Sequence, residues 1–382
     1  MPATDPPPDS PLDRSATPQA DERRYAAGQW RLMLWKFRRH RLALAGAVVV
    51  ILFYAIAAFC EFLAPYTRDQ IRVARAYAPP QRLRFVSDQG FHLRPFVYGL
   101  KTLRHPQTLE KLYEEDRSRR DPIRLFVRGP SYRFWGLWES DLHLFGVEGP
   151  DATVYLLGAD GLGRDLFSRI LYGARISLTI GLVGVAISFV LGLAIGSVSG
   201  YAGGLVDNLI QRSIEILRSF PAIPLWMALA AALPRSWTPL QVYFGITIVL
   251  SFIGWTGLAR QVRGKILSLR EEDFATAALL AGAGRARILR RHLLPSFLSH
   301  IIVQLTLAIP AMILGETALS FLGLGLRPPI TSWGVLLKEA QNIQAIELHT
   351  WLLSPVIFVV VIVLSLNFVG DGLRDAADPY SR

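Results

Sequence analysis

The run ISLTIGLVGVAISFVLGLAIGSVSGYAGGLV, from Ile176 to Val206, contains no charged residue. A helix rising 1.5 Å per residue crosses the ~30 Å hydrocarbon core of a bilayer in ~20 apolar residues, so this run can span a membrane with turns to spare. Reading outward, Leu42 to Cys60, Leu240 to Ala259 and Trp351 to Val369 are also uncharged, and Ile301 to Leu326 contains one acid, Glu316. Ser219 to Leu233 is shorter and extends backward through Ile214, Ile216 and Leu217. Six spans predict an all-α polytopic membrane protein with both termini on one side.

Composition agrees, with 51% hydrophobic and 19% charged residues among 382. The formal charge of +11 raises a nucleic-acid reading, but the cations flank apolar spans, as topology signals do. Lys36, Arg38, Arg39 and Arg41 precede the first span; Arg260, Arg263, Lys265, Arg270, Arg285, Arg287, Arg290 and Arg291 lie between the fourth and fifth. The opposite connections carry Arg235, then Arg327 and Lys338. Both termini and the fourth-to-fifth loop are therefore expected in the cytoplasm. The lone Cys60 cannot form an internal disulfide, and no Cys/His cluster has metal-ligand spacing.

The expected organisation follows. Residues 1–35 are a disordered cytoplasmic tail, rich at its start in Pro, Ala, Asp and Ser and without the marks of a cleaved signal peptide. Residues 36–64 hold the first transmembrane helix, and 65–154 form an extracytoplasmic inserted domain. Its aromatics, among them Phe85, Phe96, Tyr98, Tyr132, Trp135 and Trp138, can bury a small core of mixed strands and short helices without disulfides. Residues 155–371 form the core with spans two to six and a cytoplasmic loop at 260–298, and 372–382 are a cytoplasmic tail.

Several residues stand out. Gly184, Ser188, Gly192, Gly196 and Gly200, at four-residue spacing, put small side chains on one helix stripe, for packing within the bundle or at a subunit interface. Pro221, Pro224 and Pro310 should kink their helices. Glu316 either lines a pathway or pairs within the bundle, unless it sits cheaply near the outer helix end. Arg263-Gly264-Lys265 lacks the spacing of a phosphate loop, and Gly196-Ser197-Val198-Ser199-Gly200 misses G-x-S-x-G at Val198, so neither ATP hydrolysis nor a serine hydrolase is indicated.

The most informative stretch is the loop Glu271-Glu272-Asp273-Phe274-Ala275-Thr276-Ala277-Ala278-Leu279-Leu280-Ala281-Gly282, then nine residues, then His292-Leu293-Leu294-Pro295. An acid-led helix start, good helix formers and a turn-permitting glycine predict a short helix. A basic helix follows that must end or bend near Leu294, ahead of the proline. With small residues at Ala277, Ala278 and Ala281, the pair makes a knob able to enter a partner's groove.

This pattern resembles the EAA loop of ABC importer permeases, the element that docks on the ATPase subunit; Thr276 stands where the name-giving glutamate would be. The likeness extends to Leu156-Leu157-Gly158-Ala159-Asp160-Gly161-Leu162-Gly163-Arg164-Asp165, to Gly315-Glu316-Thr317-Ala318-Leu319-Ser320-Phe321-Leu322-Gly323-Leu324-Gly325 with Ser332-Trp333-Gly334, and to Gly370-Asp371-Gly372-Leu373-Arg374-Asp375-Ala376-Ala377-Asp378-Pro379. These resemble the C-type permease of dipeptide, oligopeptide and nickel importers, though the connection after the first span is longer than usual in that family.

The resemblance implies a six-helix fold of the type I importer kind in a bacterial inner membrane. Glu272, Ala277, Ala278, Gly282, Leu294 and Pro295 would form the ATPase-coupling loop. It implies a second permease, two ABC ATPases and an extracytoplasmic solute-binding protein as partners. No cofactor is bound by this chain, since ATP and magnesium are handled by partner subunits. A competing reading, a proton-coupled secondary transporter using Glu316, needs no such knob and usually has repeated halves, which are not evident here. An integral-membrane enzyme would need a nucleophile and base that the sequence does not offer.

Overall fold

The computed structural model describes residues 29–377 except 89, 105, 107–110 and 150. Most of the expected tail therefore lies outside the described residues, but its end is helical: α1 spans Gln29–Arg39. Met33 explains this, since it is buried against Val303 and Ala376, and Arg39 stacks on Trp35 at 3.5 Å. The first span is α2, Arg41–Ala58, capped by His40, whose Nδ1 accepts the Ala43 N–H at 3.0 Å; a one-turn helix α3, Cys60–Leu63, follows.

The inserted segment is built mainly of strands, with a short 3-10 helix at Val73–Arg75. Strands β1 Arg84–Ser87, β2 Gly90–Arg104 and β3 Lys111–Pro122 form one antiparallel sheet, and β4 Arg124–Phe134 pairs with β5 Trp138–Gly146 in a hairpin. Val97, Leu100 and Ile123 close a small core with Tyr66, Ala78, Val154 and Tyr155. Polar contacts join the insertion to the bundle: the Tyr66 N–H donates to Ser168 Oγ at 3.2 Å, the Trp135 N–H donates to Glu61 at 3.3 Å, and the Arg175 guanidinium, paired with Glu61, lies over the Trp135 ring at 4.2 Å.

Helix α4, Leu166–Ala202, is the long second span. The expected third span is not one straight helix: α5 Gly204–Ser219 and α6 Ala222–Ala231 meet at 88°. Pro221 removes a backbone donor and holds Phe220 extended at φ −83° and ψ 137°, so the helix must stop there. Helix α7 is Pro239–Leu269; beyond the loop comes α11, Leu298–Phe321, which carries Pro310 inside an uninterrupted helix. Helix α12 is Trp333–Lys338, α13 is Ile343–Leu348, and α14, Ser354–Ala377, takes in all of the described part of the expected C-terminal tail. Among the described residues five helices are long and apolar enough to cross a membrane, or six spans if the bent α5–α6 pair counts as one.

The stripe on α4 faces inward, onto α7. A Cβ placed on Gly196 would lie 2.5 Å from the Ala259 carbonyl oxygen, and one on Gly200 2.9 Å from that of Arg263. Gly192 meets Leu258 and the Trp255 carbonyl in the same way, and Ser188 is buried beside them. Small residues let two backbones approach where lipid supplies no hydrophobic drive. The stripe thus packs against α7 within the chain. Gly196→Val should cost about 1–3 kcal/mol of overpacking and lower the detergent-solubilised thermal midpoint. Gly264→Ala, whose Cβ would meet nothing within 4 Å, should leave that midpoint unchanged or slightly raised.

Candidate functional site

The loop leaving α7 turns at Arg270 and restarts at α8, Asp273–Leu280, with Glu272 as its extended N-cap residue. Glu272 is exposed, and its carbonyl accepts the Ala275 and Thr276 N–H groups at 3.0 and 3.1 Å. The helix stops in a two-bond αL turn. Gly282, at φ +80°, donates its N–H to Leu279 O at 3.0 Å, and Ala283 donates to Ala278 O at 3.0 Å. Glycine is required there because φ is positive, not because space is short: a Cβ would meet nothing within 4 Å.

The basic helix then runs as α9 Arg285–Ile288, a π turn over Leu289–Leu293, and α10 Leu294–Ser296. Pro295 does not break it at Leu294: Leu293 and Leu294 keep right-handed helical dihedrals, and the run continues to Ser296. The chain bends two residues later, at Phe297.

The loop is anchored on one side only. Ala275, Ile288, Leu293 and Phe297 are buried with Val262 and Ile266 of α7 and Ile301 of α11, and Ala278 and Leu294 pack partly against them. Thr276, Ala277 and Pro295 are exposed, as are the larger Phe274, Leu279 and Leu280, the last 83% exposed. Beside these apolar groups stand the exposed Glu271, Glu272 and Asp273. The three exposed apolar side chains were legible only as helix formers, since the α8 sequence has no clear polar face.

Below the loop, the Arg263 guanidinium forks onto both carboxylate oxygens of Asp207 at 2.5 Å, and Ser199 Oγ also donates to Asp207, so α4, α5 and α7 are tied at one point. Arg270 donates to the Gly200 carbonyl at 3.3 Å. Sequence reading missed this tie, because Asp207 and Arg263 lie 56 residues apart.

Glu316 is fully buried, not at a cheap outer position. Its carboxylate accepts hydroxyls from Ser177 at 3.0 Å, Ser320 at 2.8 Å and Ser332 at 2.7 Å. Each serine in turn accepts a backbone N–H, from Trp333 at 3.2 Å, Leu326 at 3.0 Å and Val335 at 3.2 Å. The hub joins α4, α11 and the start of α12. Nearby, Asp160 is fully buried and holds Arg164 and Arg169, both of which reach Glu339. Asp165 caps α4 through the Ser168 N–H at 2.7 Å, and burial pushes its carboxyl up to about 7 against the pull of Ser168. It adds little negative charge beside Asp160 below that pH.

Between α4, α7 and α11 lies a recess of about 220 Å³, lined by Ser188, Gly254, Gly257, Gln261 and Gln304 among others. Gln261 donates to Gln304 at 3.1 Å. Two amides on membrane helices favour a wet or protein-covered setting over lipid.

The family model of the binding-protein-dependent transport system inner membrane component matches residues 192–382, and that of the N-terminal TM domain of oligopeptide transport permease C matches 28–80. The oligopeptide transport system permease protein OppC of Haemophilus influenzae is 41% identical over 229 residues, 60% of this chain and 71% of that protein. The dipeptide transport system permease protein DppC of Bacillus subtilis is 39% identical over 235 residues, 61% of this chain and 71% of that one. OppC of Bacillus subtilis is 35% identical over 244 residues, 64% and 77% respectively. Among solved structures, an inward-facing MetNI methionine ABC transporter matches with a TM-score of 0.44 at 20% identity, covering 55% of this chain and 97% of that one.

Replacing Glu316 with Ala leaves three buried hydroxyls without their shared acceptor, and should lower stability by about 3 kcal/mol, the order of one or two hydrogen bonds to a charged group. Ser332→Ala should cost less. Thermal midpoints of the two variants in one detergent check the order.

Proposed function

Because the chain belongs to the family of binding-protein-dependent transport inner membrane components, as an OppC/DppC-like permease of an ABC importer, we propose that its cargo is di- or oligopeptide and that loop 260–298 couples it to ATP. The observation that carries the coupling is the one-sided anchoring of the loop. Ala275, Ile288 and Leu293 hold it to the bundle while Phe274, Leu279 and Leu280 remain exposed beside three acids. Such a knob fits a groove on a soluble subunit.

On this reading a second permease completes the pathway, two cytoplasmic ATPases bind and hydrolyse ATP with magnesium, and a solute-binding protein delivers the peptide outside. This chain has no ATPase site of its own. Both termini and the loop face the cytoplasm, as the arginine and lysine distribution favours, and residues 65–154 face outward. Closure of the ATPases pulls α8 through the turn at Gly282. The rigid ties at Asp207 and Glu316 pass that movement to α4, α7 and α11 as a shift between two arrangements. The recess at Gln261 and Gln304 is this chain's share of the pathway. Glu316, held by three hydroxyls, is a bundle tie and not a proton carrier.

Tagged chain purified in mild detergent should bring down two ATPases and a second permease; recovery of the isolated chain without ATPase activity in several detergents would overturn the reading. Gly282→Val forces a β-branched residue to positive φ at a strain of about 1–3 kcal/mol. In reconstituted vesicles it should keep ATP hydrolysis while peptide uptake per ATP drops about tenfold, and normal coupled uptake would sink the coupling role.

A further inference from the structure

The β4–β5 hairpin lies between the two segments matched by the family models, and the transport reading gives it no role. Four contacts with the end of the first span set its direction. His143 Nδ1 lies 2.5 Å from the Ala64 carbonyl; the Phe126 and Phe62 rings are 6.2 Å apart; the Phe134 and Phe59 rings are 6.0 Å apart; the Trp135 indole N–H donates to the Ala58 carbonyl at 3.0 Å. Along this series the span residue recedes from 64 to 58, into the membrane, while the hairpin residue advances to its turn. The hairpin thus descends alongside the end of the span, and its tip is level with the last turn of α2.

The tip suits that depth. Phe134-Trp135-Gly136-Leu137-Trp138 carries no charge, and Trp135, Leu137 and Trp138 are 51%, 72% and 66% exposed. Ile51, Leu52 and Phe59 of the first span are exposed as well, and the Phe59 ring meets Phe134 of the tip. The backbone donors of the turn are also occupied: Trp135 N–H by Glu61 at 3.3 Å, Gly136 N–H by Arg133 O at 3.1 Å and Leu137 N–H by Phe134 O at 2.9 Å. An irregular turn with free N–H groups could not leave water at low cost; this one can.

We propose that residues 134–138 are an interfacial membrane anchor, seated at the headgroup and acyl boundary of the leaflet in which the first span ends. Tryptophan favours that boundary, where its ring is apolar and its N–H finds a partner. The anchor fixes the strand-built insertion against the bilayer while Glu61 and Arg175 fix it against the bundle. This inference needs only that the first span crosses the membrane, so it stands or falls apart from the transport reading.

The test places a nitroxide at Leu137→Cys in the full chain, purified with its associated subunits and reconstituted in phosphatidylcholine and phosphatidylglycerol vesicles. Power saturation compares access to oxygen with access to a water-soluble nickel chelate. Leu93→Cys, on β2 and 88% exposed, is the aqueous reference, and buried Cys60 gives the blank from unmutated protein. The oxygen-to-nickel ratio should be several-fold higher at 137 than at 93. Equal ratios would place the tip in water, and low access to both reagents would indicate a covering protein; either overturns the anchor. If Leu137→Cys does not assemble, brominated phosphatidylcholine vesicles serve instead: quenching should be weaker in Trp138→Phe than in unmutated protein, and identical quenching overturns the proposal.

Discussion

The close approach of α4 and α7 is the contact on which the rest of the bundle depends. Lipid is as apolar as any leucine, so two spans gain little from burying bulky side chains against each other, and the gain must come from dispersion and polar contacts at short range. Gly192, Gly196 and Gly200 supply the short range, with the carbonyls of Trp255, Ala259 and Arg263 where side chains would otherwise stand. Once the backbones are that near, Ser251 Oγ can donate to the Gly184 carbonyl at 3.0 Å, and Arg263 reaches Asp207 across the end of α4. A larger residue anywhere on the stripe would separate these polar partners as well as the helices.

Charge is then confined to places where it is paired or hydrogen-bonded. At one end of the bundle Asp160 gathers Arg164 and Arg169, and at the other Asp207 takes Arg263. Glu316, between them in the fold, is held by three serine hydroxyls, each of which accepts a second bond from a backbone N–H. Such a carboxylate acts as a three-way rivet: it joins α4, α11 and the chain entering α12, and a single side chain lost from the set leaves other buried groups unpaired. The loop at 270–298 is built differently, with apolar anchoring on one face and a π turn over Leu289–Leu293, a departure from α geometry common at functional positions.

The spans were legible in the sequence because a bilayer demands one simple pattern, and the αL turn was legible because Gly282 is the residue that tolerates it. What the sequence hid is long-range. Glu316 could be seen as an intramembrane acid, but Ser177 is 139 residues away from it, and nothing in either segment announces the pairing. The stripe on α4 left packing and interface readings open until its partner surface on α7 was known. The bend at Pro221 was underestimated for a local reason: proline restricts the residue before it as well as its own turn, and Phe220 became extended instead of merely kinked. The strands of the insertion were masked by charges alternating with apolar residues, which a small two-sided sheet permits.

The manner in which the insertion is rooted explains how a permease tolerates it. Its two ends are bonded to each other where they leave the bundle: Ala159 N–H donates to Ala78 O at 2.8 Å, Gln81 N–H to Tyr155 O at 2.8 Å, and Tyr155 N–H to Gln81 Oε1 at 2.7 Å. These bonds close the excursion at its neck, so the segment between residues 81 and 155 adds loop-closure entropy that grows only logarithmically with its length. Everything beyond the neck is free to vary provided it can cover its own apolar residues, and the bundle below meets the same two strand-like ends whatever lies between them. Tyr66 and Tyr155, with ring centroids 6.0 Å apart, fill the space beneath the neck, and the Ser168 hydroxyl at the start of α4 takes the Tyr66 N–H. The second span is thereby positioned by residues at the root of the insertion, below the neck, which separates the requirements of the bundle from those of the strands that hang from it.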